Sequence, residues 1–152
     1  MLPSIKKNFV HTGQVELVFL DLPLQMHSQA FKAAVAAACS RDQNKFWEMH
    51  DVLFENQRAL TPDRLPGYAE ALGLDMAAFQ KCLSGRRHDG EIRGNIRAAN
   101  ILGITGTPAY VLARRISGTD KVQVLEIVHG VRPYEEIEQK LNALLASHDA
   151  HR

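Results

Sequence analysis

Between about residue 26 and residue 103 no segment alternates apolar and polar side chains as a strand does, while apolar residues recur there at helical spacing. A helical block of that length leaves strands only two places, before it and after it. Residues 14–21, Gln-Val-Glu-Leu-Val-Phe-Leu-Asp, are β-branched, aromatic and short, which predicts a strand. Pro23 then ends any ladder. Ala109 to about Ala113 and Val122 to Val128 predict two more strands, joined through Ser117-Gly118-Thr119-Asp120 as an antiparallel hairpin. Before the first strand, Ile5, Phe9 and Val10 lie at helical spacing with Gly13 as a stop, like the last turns of a helix that begins upstream. Pro133 opens a final helix, with Glu135 and Glu136 in its first turn and an apolar stripe of Ile137, Leu141, Leu144 and Leu145. This order predicts one α/β domain over residues 1–152, with a helical insertion at about 26–103.

Within the insertion, Phe31, Ala34, Val35, Ala38 and Cys39 share a face of the first helix. Phe46, His50, Leu53 and Phe54 do so in the next, with Trp47 beside them, and an aromatic cluster at this spacing reads as core. His50 reads as a hydrogen-bonded partner there, because no nucleophile stands near it in sequence. Thr61-Pro62 supplies a cap and a first-turn proline, and Pro66 offers a second start for a helix facing Tyr68, Ala71 and Leu72 inward. Asp75 caps a helix holding Phe79, Cys82 and Leu83, which Gly85 closes. Ile92, Ile96, Ala99 and Leu102 make a further amphipathic helix ending at Gly103.

At 152 residues, 45% apolar and 23% charged, the chain is an ordinary globular composition, large enough to bury a substantial core. A formal net charge of +1 with acids and bases intermixed argues against nucleic acid. Its one dense basic patch, Arg86-Arg87-His88, runs at once into Asp89 and Glu91 and reads as a solvated helix start. No apolar run approaches the roughly 18 residues of a membrane span. Met1 to Lys7 lacks the apolar stretch of a signal peptide, so the chain taken literally is expected in the cytoplasm. The two cysteines form no C-x-x-C and the seven histidines are scattered, His148 and His151 in a polar tail where fraying is expected, so neither a metal nor a cofactor is expected.

Three stretches carry a family resemblance: Val18-Phe19-Leu20-Asp21-Leu22-Pro23-Leu24, then Gln43 to Asp51 with Leu53-Phe54 and Asn56-Gln57, then Leu102-Gly103-Ile104-Thr105-Gly106-Thr107-Pro108. In this order, over about residues 2–146, the chain resembles the DsbA-like branch of the thioredoxin superfamily, the disulfide oxidoreductases. The resemblance implies a thioredoxin-like fold with a helical insertion between strand 2 and the cis-Pro strand. The family's first strand, and the C-x-x-C at its first helix start, are missing from these residues. A helix N-terminus lowers a thiol's pKa and makes the thiolate a good leaving group, so that placement carries the chemistry. The resemblance therefore supplies no catalytic residue here, and the expected protein is a family member without redox activity. It also implies that Pro108 is cis and that the backbone of Thr107 pairs with a substrate polypeptide like an added strand.

Cys39 and Cys82 each sit inside an amphipathic pattern. Two buried small hydrophobes is the plainest reading; a structural disulfide fits the oxidising compartments in which this family usually works; a reactive thiol is the remaining one. Unpaired edges on strands 14–21 and 109–113 leave three outcomes: the strands close on each other, a partner supplies a strand by dimerisation or strand exchange, or the chain is a fragment. The expected partners are a polypeptide substrate, a partner protein or a second copy. Two alternatives stand beside the oxidoreductase reading: a non-catalytic peptide- or partner-binding module, and a glutathione-linked transferase or isomerase relative.

Overall fold

The computed structural model describes residues 1–149, of which 148 and 149 are described as backbone only, so the expectation for His148 and His151 lies outside the described side chains. Its elements are α1 (Leu2–Ile5), running into one π-helical turn (Lys6–Val10), α2 (Ala30–Arg41), α3 (Phe46–Glu55), α4 (Leu65–Ala71), α5 (Met76–Ser84), α6 (Asp89–Ile101), β1 (Ala109–Arg115), β2 (Val122–His129) and α7 (Tyr134–Asp149). They form two compact units, one from residues 1–19 with residues 106 onward, the other from Leu20–Thr105.

The second unit is built around α2. Six alanines between Ala30 and Ala38 bring the backbone close to its neighbours, and every residue from Ala33 to Ser40 is buried. Buried on all sides, α2 takes α3, α4, α5 and α6 around it. Phe79 of α5, Met49 of α3, Leu65 of α4 and Ile92 of α6 complete the core with almost no exposure. Local signals set the helix ends. The Asp75 carboxylate accepts the Ala78 N–H at 3.0 Å and starts α5. Gly103, at φ +70°, ends the turn after α6, where a side chain would be strained. Of the two candidate starts for α4, Pro66 is the one used, and Thr61-Pro62 lies in the preceding turns.

In the first unit β1 and β2 form an antiparallel hairpin from Ala109↔His129 to Arg115↔Val122, with a shift in register between Leu112 and Ala113. Tyr110, Leu112 and Val128 turn one face of it toward Ile5, Phe9, Ile137 and Leu141. The other face leaves Val111, Val122 and Val124 exposed.

The strand expected at 14–21 does not form. Its amides at Gln14 and Val15 donate to Phe9 O, both at 3.1 Å, and Glu16 pairs with Arg115, but no ladder follows. β-propensity is the fit of a side chain to a pleated, paired surface. The described sheet has two strands, β1 and β2, and residues 14–21 form a ladder with neither. Val18 and Leu20 are accordingly more than half exposed. The outcome in which 14–21 closes directly onto 109–113 is thereby corrected.

Phe79 lies in the middle of the core of the second unit. Phe79→Ala is expected to cost about 3–5 kcal/mol, measured by urea unfolding followed by circular dichroism.

Candidate functional site

Two places in the chain gather chemistry, one in each unit. In the first unit the Thr107–Pro108 peptide is cis, and both residues are exposed. The Pro108 carbonyl accepts from the Gly130 N–H at 2.8 Å, which ties this turn to the end of β2. Among the described residues the Thr107 backbone makes no hydrogen bond. The chain therefore enters β1 with a polar backbone group presented to solvent.

In the second unit α2 delivers Cys39, Arg41 and Asp42 on its last turn and just beyond it. Gly85 ends α5 soon after Cys82, and the following turn brings His88 to the start of α6. Cys39 and Cys82 are joined by a disulfide with their Cα atoms 5.8 Å apart, so the reading of two separate buried thiols is corrected. The helices present the two cysteines to each other across the α2–α5 contact, a pairing invisible to amphipathic spacing. Cys39 is fully buried and Cys82 half-buried.

His88, expected in a solvated helix start, is instead 7% exposed, while Arg86 and Arg87 beside it remain exposed. Its Nε2 lies 2.8 Å from Asp42 Oδ2, and its Nδ1 3.6 Å from Glu91 Oε2. Asp42 Oδ2 also approaches Cys82 Sγ at 3.8 Å and Arg87 Nη1 at 3.4 Å. Arg41 forms two parallel bonds to Glu91, at 2.7 and 2.6 Å, and this hydrogen-bonded guanidinium holds the Glu91 carboxyl below the usual range. Both partners are nearly half exposed, so the pair contributes under about 1 kcal/mol. Asp42, His88, Arg41 and Glu91 were not legible as a group in the sequence. Arg41 and Asp42 are neighbours, but 46 residues separate Asp42 from His88 and 50 separate Arg41 from Glu91, and only the packing of α6 on α2 joins the two pairs.

Asp21 adds a half-buried acid to this unit. Its pKa is pushed up to about 6, first by burial and then by the Glu91 charge, with Arg41 opposing. The aromatic cluster of α3 is core only in part. His50 is buried and pairs through Nδ1 with Asp51 Oδ1 at 2.9 Å, but Phe54, stacked at 4.5 Å from the His50 ring, is 54% exposed. The expectation of an inward-facing Phe54 is corrected, because α3 ends at Glu55 and the chain turns away beyond it.

A helix-rich unit inserted ahead of a cis-proline hairpin is the organisation of a DsbA-like thioredoxin domain. The chain belongs to the family of DSBA-like thioredoxin domains, which it matches over residues 3–142. Among curated relatives, Na(+)/H(+) antiporter NhaA 3 of Salinispora tropica is 38% identical over 125 residues, 81% of this chain and 19% of that protein. Probable disulfide bond formation protein D of Bacillus anthracis is 22% identical over 134 residues, 79% of this chain and 59% of that protein. The chain thus spans about a fifth of the antiporter-named relative and about three fifths of the disulfide-formation relative. Among the described residues no helix is long and apolar enough to cross a membrane.

The disulfide closes a loop of sequence separation 43. Reduction, or Cys39→Ser with Cys82→Ser, is expected to cost about 3–4 kcal/mol, read as a fall in the urea midpoint. Asp21 titrates near 6 in the folded chain against an ordinary 3.8, so the folded state holds this proton more tightly. Its contribution therefore rises as pH falls from above 6 toward 4, and the penalty of the partly desolvated charge is complete above about 6. Asp21→Asn is expected to stabilise the protein at pH 7 by on the order of 1–3 kcal/mol and to change little near pH 4, tested by urea unfolding at both values.

Proposed function

We propose that this chain is the polypeptide-binding part of a DSBA-like thioredoxin domain and does not turn over dithiols by itself. An extended peptide pairs with the Thr107 backbone and continues along the free edge of β1 as an added strand. The observation that carries the reading is the exposed Thr107–Pro108 turn, whose Thr107 backbone has no hydrogen-bond partner among the described residues. Val111, exposed on β1, gives an added chain apolar surface to rest on. The chemistry named for disulfide bond formation protein D needs an activated thiolate. These 152 residues hold only Cys39 and Cys82, which are bonded to each other across two helices.

Fluorescence anisotropy of labelled unfolded peptides tests the binding. Pro108→Ala is expected to weaken it at least about tenfold, or ~1.4 kcal/mol; equal affinity, or no peptide binding by the wild type, contradicts the reading. Insulin reduction should not exceed that of the Cys39→Ser/Cys82→Ser protein, and turnover above it would return the chain to the oxidoreductases. Strand exchange with a second copy is a further reading, favoured by the exposed Val122 and Val124 beside Val111. Sedimentation distinguishes the two: a monomer that binds peptide supports the first, and a dimer that no peptide dissociates supports the second.

A further inference from the structure

We propose that reduction of the Cys39–Cys82 disulfide converts this cluster into a zinc site, with Cys39, Cys82 and His88 as ligands and Asp42 as the carboxylate beside them. The sulfurs of Cys39 and Cys82 and a ring nitrogen of His88 all lie within 4.8 Å of one another. Ligand atoms around a tetrahedral zinc stand about 3.5–3.8 Å apart, from Zn–S of about 2.3 Å and Zn–N of about 2.0–2.1 Å. The bond now holds the two sulfurs closer than that, and once it is reduced they have to separate only to coordination distance beside the His88 nitrogen. The donor set of two thiolates and an imidazole is one that zinc takes, and softer than calcium or magnesium accept.

The surroundings favour the same ion. Cys39 and His88 are buried, so little water competes for the position, while Cys82 is half-buried and gives entry from solvent. Asp42 Oδ2, at 2.8 Å from His88 Nε2 and 3.8 Å from Cys82 Sγ, is placed to become a fourth ligand or to hold the imidazole as an outer carboxylate. The site is not legible in the sequence, because its ligands come from α2, α5 and the start of α6 and follow no short metal-binding spacing.

The change balances as thiol–disulfide exchange followed by metal binding. An external dithiol attacks one sulfur of the disulfide, passes two electrons and two protons to the cysteine pair, and closes to its own disulfide. Zinc(II) then binds, and the two thiol protons leave to solvent as the thiolates ligate it. The oxidised chain has no thiol for the metal, so one pair of cysteines is either a cross-link or a ligand pair. The proposal uses the helical unit alone and stands whether or not Thr107 and Pro108 bind peptide.

The test is a titration of the 152-residue chain with zinc, and with cobalt as a spectroscopic probe, before and after reduction by a phosphine that is then removed under anaerobic conditions. The expected result is one zinc per reduced chain, none on the oxidised chain, and thiolate-to-cobalt charge transfer with tetrahedral d–d bands. His88→Ala is expected to lose at least about 100-fold in affinity and Asp42→Asn about 10–100-fold. If the reduced chain unfolds, its refolding on zinc addition supports the site. A reduced chain that neither binds zinc nor refolds with it overturns the proposal, as does binding that is the same in His88→Ala.

Discussion

A strand is held by its neighbour, and among the described residues β1 has one neighbour, β2. Much of the first unit follows from that constraint. Residues 14–21 have the composition of a strand and stay irregular, forming a ladder with neither β1 nor β2. The hairpin stays in place because one face is buried against Phe9, Ile137 and Leu141, so packing and not sheet extension stabilises it. An exposed edge remains hydrated and costs little until a chain adds to it. Each bond then gained against water is worth about 0.5–1.5 kcal/mol. The proposed polypeptide binding uses this edge, and the Thr107–Pro108 turn leads directly into it.

The helical unit obeys a different constraint. Its central helix is alanine-rich, which allows close approach but supplies little apolar area per residue. The larger residues are therefore carried by the surrounding helices, as Met49, Leu65, Phe79 and Ile92. The Cys39–Cys82 bond adds a covalent tie between the central helix and α5. Its polar surroundings, His88 with Asp42 and Arg41 with Glu91, lie at the C-terminal end of α2 and satisfy one another. A cross-link set beside a buried imidazole and carboxylate has chemistry available to it that a cross-link among leucines would lack.

The legible features were those written locally. Asp75 as a cap, Gly103 as a stop and the Ser117–Asp120 turn each act within a few residues, and each element stands where those signals put it. The helical block and the hairpin after it followed from such signals, whereas the family came from the resemblance carried by residues 18–24, 43–57 and 102–108. What the sequence did not disclose depends on which element meets which. Residues 14–21 form a ladder with neither β1 nor β2. His88, sitting in a basic run, became buried because α6 packs on α2 and Asp42 waits there. Phe54 fits the apolar pattern of α3 and is nevertheless exposed, because the helix stops one residue later. Periodicity tells which face is apolar, and only the tertiary arrangement tells what covers it.

The proposed binding rests on an edge of β1 that is open in the free protein. Amide hydrogen exchange of the chain, alone and saturated with a bound unfolded peptide, measures this directly. The Thr107 amide and the β1 amides pointing away from β2 should exchange fast in the free protein and slow by at least about tenfold with peptide, while those bonded to β2 change little. Protection of the outward amides already present in the dilute monomer, or none gained at saturation, would contradict it.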